Sequence, residues 1–337
     1  MRSGRKLRRA AACVGVALSI DVTQRLIRSY LREDPTQGEP LDLAPGRDVI
    51  VEADDGAQLH AWLSDPDRSD DIDRRRPVAL LVHGLATDRR MWSATARLLL
   101  DRGFSTIVYD QRGHGESTLG SERFSAERLG DDLRCVIETL DLRDVVVVGH
   151  SAGGIVVESL LVHSDDRLIA RLKACVLCST GSTQRKLSSA VEAVIASFTE
   201  SSMLERIVSV RGVGRVLFTG FAGPIQPAAH VSAALEGYKK SSGPVRVAML
   251  RVTQSDYGDL LKRVKLPVTV VIGDNDRYVP PWRARDLVSQ IPGAKLVEVP
   301  GVAHMVPFEA PEKLADVIEE ALELERPLRR VETTNSK

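Results

Sequence analysis

The chain has 337 residues, of which 43% are hydrophobic and 27% charged, and its 46 basic residues are balanced by 46 acidic ones. An ordinary apolar fraction with no net charge excludes global disorder and leaves no overall field to draw in nucleic acid or acidic lipid. Aromatic residues make up only 4%, too few for stacking on single-stranded nucleic acid, and there is no run of 18 apolar residues to span a bilayer.

At the N-terminus, Arg2, Arg5, Lys6, Arg8 and Arg9 precede an apolar stretch from Ala10 to Ile20. One reading is a secretory signal with Ala17-Leu18-Ser19 as its cleavage site. The other follows the spacing onward. Val14, Leu18, Val22, Leu26 and Tyr30 recur every four residues, with Ile20, Ile27 and Leu31 beside them. That periodicity predicts one amphipathic helix with a basic start, which either packs on the body of the protein or lies on a membrane surface. The second reading is favoured, because cleavage would leave three of the four cysteines, an odd number. It implies a cytoplasmic protein, with peripheral membrane contact in the case where the helix lies on a membrane surface; secretion goes with the first reading.

Residues 33–47 are rich in Pro and Gly and read as a linker, so residues 1–47 form an N-terminal unit. Regular structure is expected from Val49. Val49-Ile-Val-Glu52, the turn Asp54-Asp55-Gly56 and Gln58-Leu-His-Ala-Trp62 predict a β-hairpin, and a polar loop follows from Asp65 to Arg76.

From residue 77 the pattern changes to short apolar runs alternating with helix-period segments. Strands are expected at 77–82, 104–109, 144–148, 172–178, 267–272 and 295–299, and helices near 90–101, 125–140, 152–163, 282–291 and 311–324. The strands are near-continuous Val, Ile and Leu runs and not alternating ones, as parallel strands covered on both faces require. Cys175 and Cys178 fall in the fourth run. Three residues apart on a strand, they point to opposite faces, so they read as core thiols and not as a redox or metal pair.

Residues 183–264 break the alternation. Leu187, Val191, Val194, Ile195 and Phe198 fit a helix face, as do Leu204, Ile207 and Val208, and further helices are expected over 229–240 and 244–255. A helical insertion at the carboxyl ends of parallel strands sits where such sheets bind ligands, so it reads as a cap; a packing elaboration is the plainer alternative. The expected organisation is therefore an α/β core in two parts, 48–182 and 265–325, divided by the cap at 183–264 and followed by a polar tail at 326–337.

The chemistry centres on Gly149-His150-Ser151-Ala152-Gly153, which follows the strand ending at Val148 and opens a helix-forming run. A serine on so tight a strand-to-helix turn is lifted above the sheet, and Gly149 and Gly153 remove the side chains that would clash there. The helix start offers free N–H groups and positive potential to an oxyanion. A hydroxyl needs a base. Of the seven histidines only His304 lies in a loop after the last strand, within Pro300-Gly-Val-Ala-His304-Met-Val-Pro307. The base needs a carboxylate. Asp276 is preferred and Asp274 is the second choice, both in Gly273-Asp-Asn-Asp276 after a strand. The backbone N–H groups of Leu85, turned by Gly84 after His83, and of Ala152 are the expected oxyanion donors.

His83-Gly84, Asp110-Gln-Arg-Gly-His-Gly-Glu-Ser117, Gly149-His-Ser-Ala-Gly153, Gly273-Asp-Asn-Asp276 and Gly301-Val-Ala-His304 together resemble the α/β-hydrolase superfamily over about residues 48–324. The order Ser151, Asp276, His304 is the one that fold uses. The resemblance implies an α/β-hydrolase fold: a mostly parallel central sheet, helices on both faces and a helical cap. It implies that Ser151, Asp276 and His304 form a triad, with Leu85 and Ala152 as the oxyanion pair. It also implies that Arg112 and His114 are scaffold, and that His83 and His150 position the motifs without acting as bases.

A serine at the nucleophile position argues against the related branches that attack with a carboxylate. Acyl transfer to water is expected, on an apolar carboxylic ester, lipid-type esters included, since the cap contributes Phe198, Phe218 and Phe221. Cofactor-free haloperoxidase or perhydrolase chemistry, carbon–carbon bond hydrolysis and a non-catalytic binding role on the same scaffold are the alternatives. No HExxH pattern occurs, and Gly113-His-Gly115 is followed by Thr118 where a dinucleotide fingerprint needs glycine, so neither metal nor cofactor is expected.

Overall fold

In the computed structural model the described residues are 41–67, 76–181 and 228–323, with isolated positions between 197 and 218. The expected N-terminal helix, most of the linker, the first two cap helices and the polar tail lie outside them.

The hairpin forms where the Asp-Gly turn places it. Gly56 takes φ +84°, open to glycine, and reverses the chain between β1 (Arg47–Glu52) and β2 (Gln58–Ser64). The pair is antiparallel, with Val51 opposite Leu59, and it begins two residues earlier than expected. The remaining strands are β3 (Val78–Val82), β4 (Ser105–Tyr109), β5 (Val145–His150), β6 (Leu172–Cys178), β7 (Val268–Gly273) and β8 (Lys295–Val299). Between them run α1 (Ser93–Asp101), α2 (Ala126–Thr139), α3 (Ala152–His163), α4 (Asp166–Ile169), α5 (Ala228–Lys240), α6 (Gly243–Val252), α7 (Gly258–Leu261) and α8 (Pro281–Gln290). After β8 come α9 (Val306–Glu309) and α10 (Pro311–Glu323). The helices expected over 229–240 and 244–255 correspond to α5 and α6.

The strands form one eight-stranded sheet in the order β1-β2-β4-β3-β5-β6-β7-β8. β2 pairs antiparallel with β1 and β4; every pairing from β4 to β8 is parallel. Every residue of β3, β4, β5 and β7 is buried, which explains why these strands are mostly apolar without a polar face. Their side chains divide by alternation. Leu80, Val147, Cys175 and Val270 pack with Leu133 of α2, Ile155 of α3 and Leu287 of α8. Leu81, Val148, Val176 and Cys178 pack with Leu99 of α1 and Ile318 of α10 on the other face. Cys175 and Cys178 thus lie on opposite faces, as the strand period requires. Burial raises both thiols, that of Cys178 to about 12.

The chain leaves β3 toward β4 on one side and returns to β5 on the other. The crevice at the carboxyl ends of β3 and β5 is therefore the switch point of the sheet, the place where parallel α/β folds take ligands. Elements of the insertion reach this end. Arg90 Nη1 pairs with Glu236 Oε2 of α5 at 2.7 Å, and Lys240 Nζ pairs with Glu116 Oε1 at 3.1 Å. The buried Arg246 of α6 donates to the Tyr238 carbonyl at 2.9 Å and lies 4.3 Å from that ring, which ties α6 to α5.

The loop after β4 is scaffold. Arg112 is buried and holds Asp132 of α2 through two 2.6 Å bonds and Asp55 of the hairpin turn through bonds of 2.8 and 3.1 Å. Losing one partner of such a buried set typically costs about 3–5 kcal/mol, because the remaining charges stay desolvated. His114 is buried beside His83, their ring centroids 5.1 Å apart.

One buried carboxyl has no such partner. Glu158, on α3, is 3% exposed and its Oε1 accepts no hydrogen bond. Burial first, then the charge of Asp256, raises its pKa to about 8, against a lowering by Arg283. The folded value lies above the unfolded one of about 4.3. Its contribution is therefore fully present below about pH 4 and is lost as pH rises through about 8. Chemical denaturation between pH 5 and 8 should show stability falling by up to about 1.4 kcal/mol per pH unit from this group, and Glu158→Gln should flatten that component. Parallel profiles for the two proteins would contradict it.

Candidate active site

β5 runs two residues further than expected, because Gly149 pairs with Leu177 and His150 with Cys178 on β6. Ser151 follows with no intervening loop, and α3 begins at Ala152. The turn is strained: Ser151 has φ +53° and ψ −117°, a region that side chains avoid. Two bonds hold it. Ser151 N–H donates to the Cys178 carbonyl at 2.8 Å, and Thr180 Oγ1 donates to the Ser151 carbonyl. The glycines are needed for closeness. A Cβ on Gly149 would fall on the Gly153 carbonyl, and one on Gly153 would fall on the carbonyls of Val82 and His83.

His304 lies after β8, in the short loop before α9. Its Nε2 is 3.0 Å from Ser151 Oγ, and its Nδ1 is 2.7 Å from Asp276 Oδ2. Asp276 is fully buried at its side chain, and its other oxygen accepts the N–H groups of Tyr278 at 2.8 Å and Val279 at 2.9 Å. Those two bonds orient the carboxylate, and the bond from Nδ1–H leaves Nε2 as the acceptor facing the serine hydroxyl. Asp274 does something else: its Oδ1 accepts the Gly301 N–H at 2.8 Å, tying the loop after β7 to the loop that carries His304. Of the two carboxylates left open by the sequence, the geometry joins Asp276 to the histidine.

The loop after β3 passes against the serine, since a Cβ on Gly84 would lie 3.3 Å from Ser151 Cβ. The buried His83 fixes the direction of this loop. Its Nδ1–H donates to the Gly84 carbonyl at 2.8 Å, while its Nε2 accepts the Gln111 N–H at 2.9 Å. Thr87 Oγ1 donates to the same carbonyl at 3.1 Å. The C=O of Gly84 and the N–H of Leu85 share one trans peptide and point oppositely. With the carbonyl drawn to His83 and Thr87, the Leu85 N–H faces away from them. The Ala152 N–H is in the first turn of α3, which has no intrahelical acceptor for it.

Burial keeps the flanking imidazoles neutral: the pKa of His83 is lowered, and those of His114 and His150 fall to about 3. None of them reaches the serine hydroxyl. Thr180 was not visible as a site residue from sequence, because it acts on a backbone carbonyl and no spacing marks it. Among the described residues no group of His, Cys, Asp or Glu side chains could hold a metal ion, and no helix is long and apolar enough to cross a membrane.

The strain at Ser151 has a measurable consequence. Ser151→Gly admits the observed dihedrals freely, whereas Ser151→Ala keeps the penalty, so the glycine variant should be the more stable by about 1 kcal/mol in chemical denaturation. Equal stability, or a more stable alanine variant, would mean that the turn stores no strain.

Comparison with known proteins agrees with this architecture. Residues 79–317 match the model of the alpha/beta hydrolase family. The chain is 25% identical to the bifunctional esterase/perhydrolase DCH of Acinetobacter calcoaceticus over 243 residues, covering 69% of this chain and 87% of that one. It is 26% identical to a non-heme haloperoxidase of Rhodococcus erythropolis over 240 residues, covering 68% and 85%. Among solved structures, an esterase from Exiguobacterium antarcticum superposes with a TM-score of 0.70 at 16% identity, covering 82% of this chain and 100% of that one. An eight-stranded, mostly parallel sheet, a serine on the turn after its central strand and a family match across most of the length together identify the chain as a member of the alpha/beta hydrolase family.

Proposed function

We propose that the protein is a serine esterase, hydrolysing carboxylic esters through an acyl-enzyme on Ser151. One observation carries this reading: Asp276, His304 and Ser151 form a hydrogen-bonded series with bonds of 2.7 and 3.0 Å. Ser151 Oγ attacks the acyl carbonyl carbon while His304 Nε2 takes its proton. Asp276 holds the ring in the required tautomer and balances the imidazolium. The carbonyl oxygen becomes an oxyanion between the N–H groups of Leu85 and Ala152, each such donor typically contributing about 10²–10³ in rate. The imidazolium then gives its proton to the departing alkoxide. Water, deprotonated by His304, attacks the acyl carbon and releases the acid and Ser151.

An apolar acyl or alcohol group is supported by what surrounds the histidine. Met305 and Phe308 follow it in the chain and pack in one apolar cluster with Phe218 and with Val231 of α5. The Phe218 and Phe308 rings are 6.3 Å apart. These contacts support reading the insertion as a cap over the site; Phe198 and Phe221 lie outside the described residues. A second reading is perhydrolysis, in which hydrogen peroxide replaces water at the acyl-enzyme and leaves as a peracid. The name of the Acinetobacter relative favours it as a companion activity.

With p-nitrophenyl butyrate, rapid mixing should show a burst of nitrophenol followed by steady turnover. Ser151→Ala should abolish the burst, and Asp276→Asn should lower kcat by about 10²–10⁴, far more than Asp274→Asn. Equal slow hydrolysis by wild type and Ser151→Ala across an ester panel would refute the esterase, and the reverse ranking of the aspartates would move the acid to residue 274.

A further inference from the structure

The catalytic series needs His304 held to within tenths of an ångström, yet His304 stands in a loop between a strand and a four-residue helical turn. Two side chains bind the backbone around it. His150 Nε2–H donates to the His304 carbonyl at 2.9 Å. The Glu309 carboxylate straddles the same residue, its Oε2 accepting the Ala303 N–H and its Oε1 the Met305 N–H, both at 2.9 Å.

We propose that His150 and Glu309 are positioning residues, forming a two-point backbone clamp that sets His304 against Ser151. The inference rests on the triad reading given above and extends it to groups that never touch substrate.

His150 immediately precedes Ser151, so one residue is joined covalently to the hydroxyl and by a hydrogen bond to the base. The contacts close a ring: Ser151 Oγ to His304 Nε2, through the His304 backbone to His150 Nε2, and back along the chain to Ser151. Any drift of the His304 loop away from β5 must break one of the two hydrogen bonds. The imidazole is buried and neutral, so it has a single N–H, and the bond to a carbonyl requires that N–H at Nε2. Its Nδ1 is then a buried acceptor with no hydrogen-bond partner. It faces Gly84, where a Cβ would lie 2.9 Å away. An unpaired buried ring nitrogen is costly, and an apolar ring would fill the same space without that cost. A polar ring is accounted for here by the one bond it makes, to the His304 carbonyl. Glu309 acts from the other side. Its Oε1 takes the N–H of the His304–Met305 peptide, whose C=O His150 holds, so that one peptide is gripped at both ends, and its Oε2 anchors the chain one peptide before His304, at the Ala303 N–H.

The test uses the full chain and the variants His150→Phe, His150→Gln and Glu309→Ala. The readouts are kcat and KM for p-nitrophenyl butyrate, thermal midpoint, and the far-downfield proton resonance of the His304–Asp276 hydrogen bond. A misplacement of about 1 Å can cost about 10²-fold in rate, so His150→Phe and Glu309→Ala should each lower kcat at least about tenfold with KM within about twofold. Both should also shift or broaden the downfield resonance. The amide N–H of glutamine can reach the same carbonyl, so His150→Gln should recover kcat to within about threefold of wild type. A His150→Phe protein that keeps kcat within about twofold, or a His150→Gln protein no better than it, would overturn the clamp at His150. Should His150→Phe fail to fold, an unchanged kcat and resonance in Glu309→Ala would overturn the proposal. Should wild type turn over no ester, the function reading fails while the resonance still decides the clamp: an unchanged signal in the variants overturns it, and a displaced one upholds it.

Discussion

The hydrogen bond between Ser151 Oγ and His304 Nε2 spans 153 residues of chain, and the rest of the molecule can be understood as what brings its two ends to 3.0 Å. In the esterase proposed above neither residue acts alone: the serine hydroxyl is a weak nucleophile without a base, and the bond from Nδ1 to Asp276 sets which imidazole nitrogen carries the proton. Three loops after three parallel strands, β5, β7 and β8, supply these groups. The strands are neighbours or near neighbours in one sheet, so their carboxyl ends emerge side by side.

The sheet provides a rigid base for this convergence. Its central strands are buried on both faces, and side chains packed at crystal-like density leave the loops little freedom at their roots. The strain at Ser151 is maintained by this setting, with the Cys178 carbonyl and Thr180 hydroxyl gripping the peptides on either side of a residue that would otherwise relax. Asp274 and Asp276 divide their work in the same way. One ties two loops together, and the other faces the histidine; both tasks are set by the direction in which a turn presents its side chains.

Much of this was legible in the residues themselves. The apolar runs of β3, β5 and β7, interrupted only by Thr269 and by His150 at the end of β5, announce strands buried on both faces. The glycines around Ser151 announce a close approach of backbone to backbone. The order of serine, acid and histidine announces the fold. What could not be read is equally physical. The placement of β4 outside β3 depends on crossover handedness, which leaves no mark on composition. The choice between Asp274 and Asp276 depends on side-chain direction within one turn. The extension of β5 through His150 depends on partners in β6 that lie more than twenty residues away. Glu309 and Thr180 bind backbone atoms, as does His150, whose motif-positioning role was legible but not its partner, and a backbone atom has no residue identity for a motif to display.

The most direct test of the central claim is covalent capture of the hydroxyl. A fluorophosphonate ester phosphonylates a serine only when a neighbouring base activates it, with loss of fluoride. Incubation of the full chain followed by peptide mass spectrometry should find one phosphonyl group per chain, on Ser151, and the rate of labelling should collapse in His304→Ala. Labelling that ignores His304, or that falls on another residue, would contradict the account.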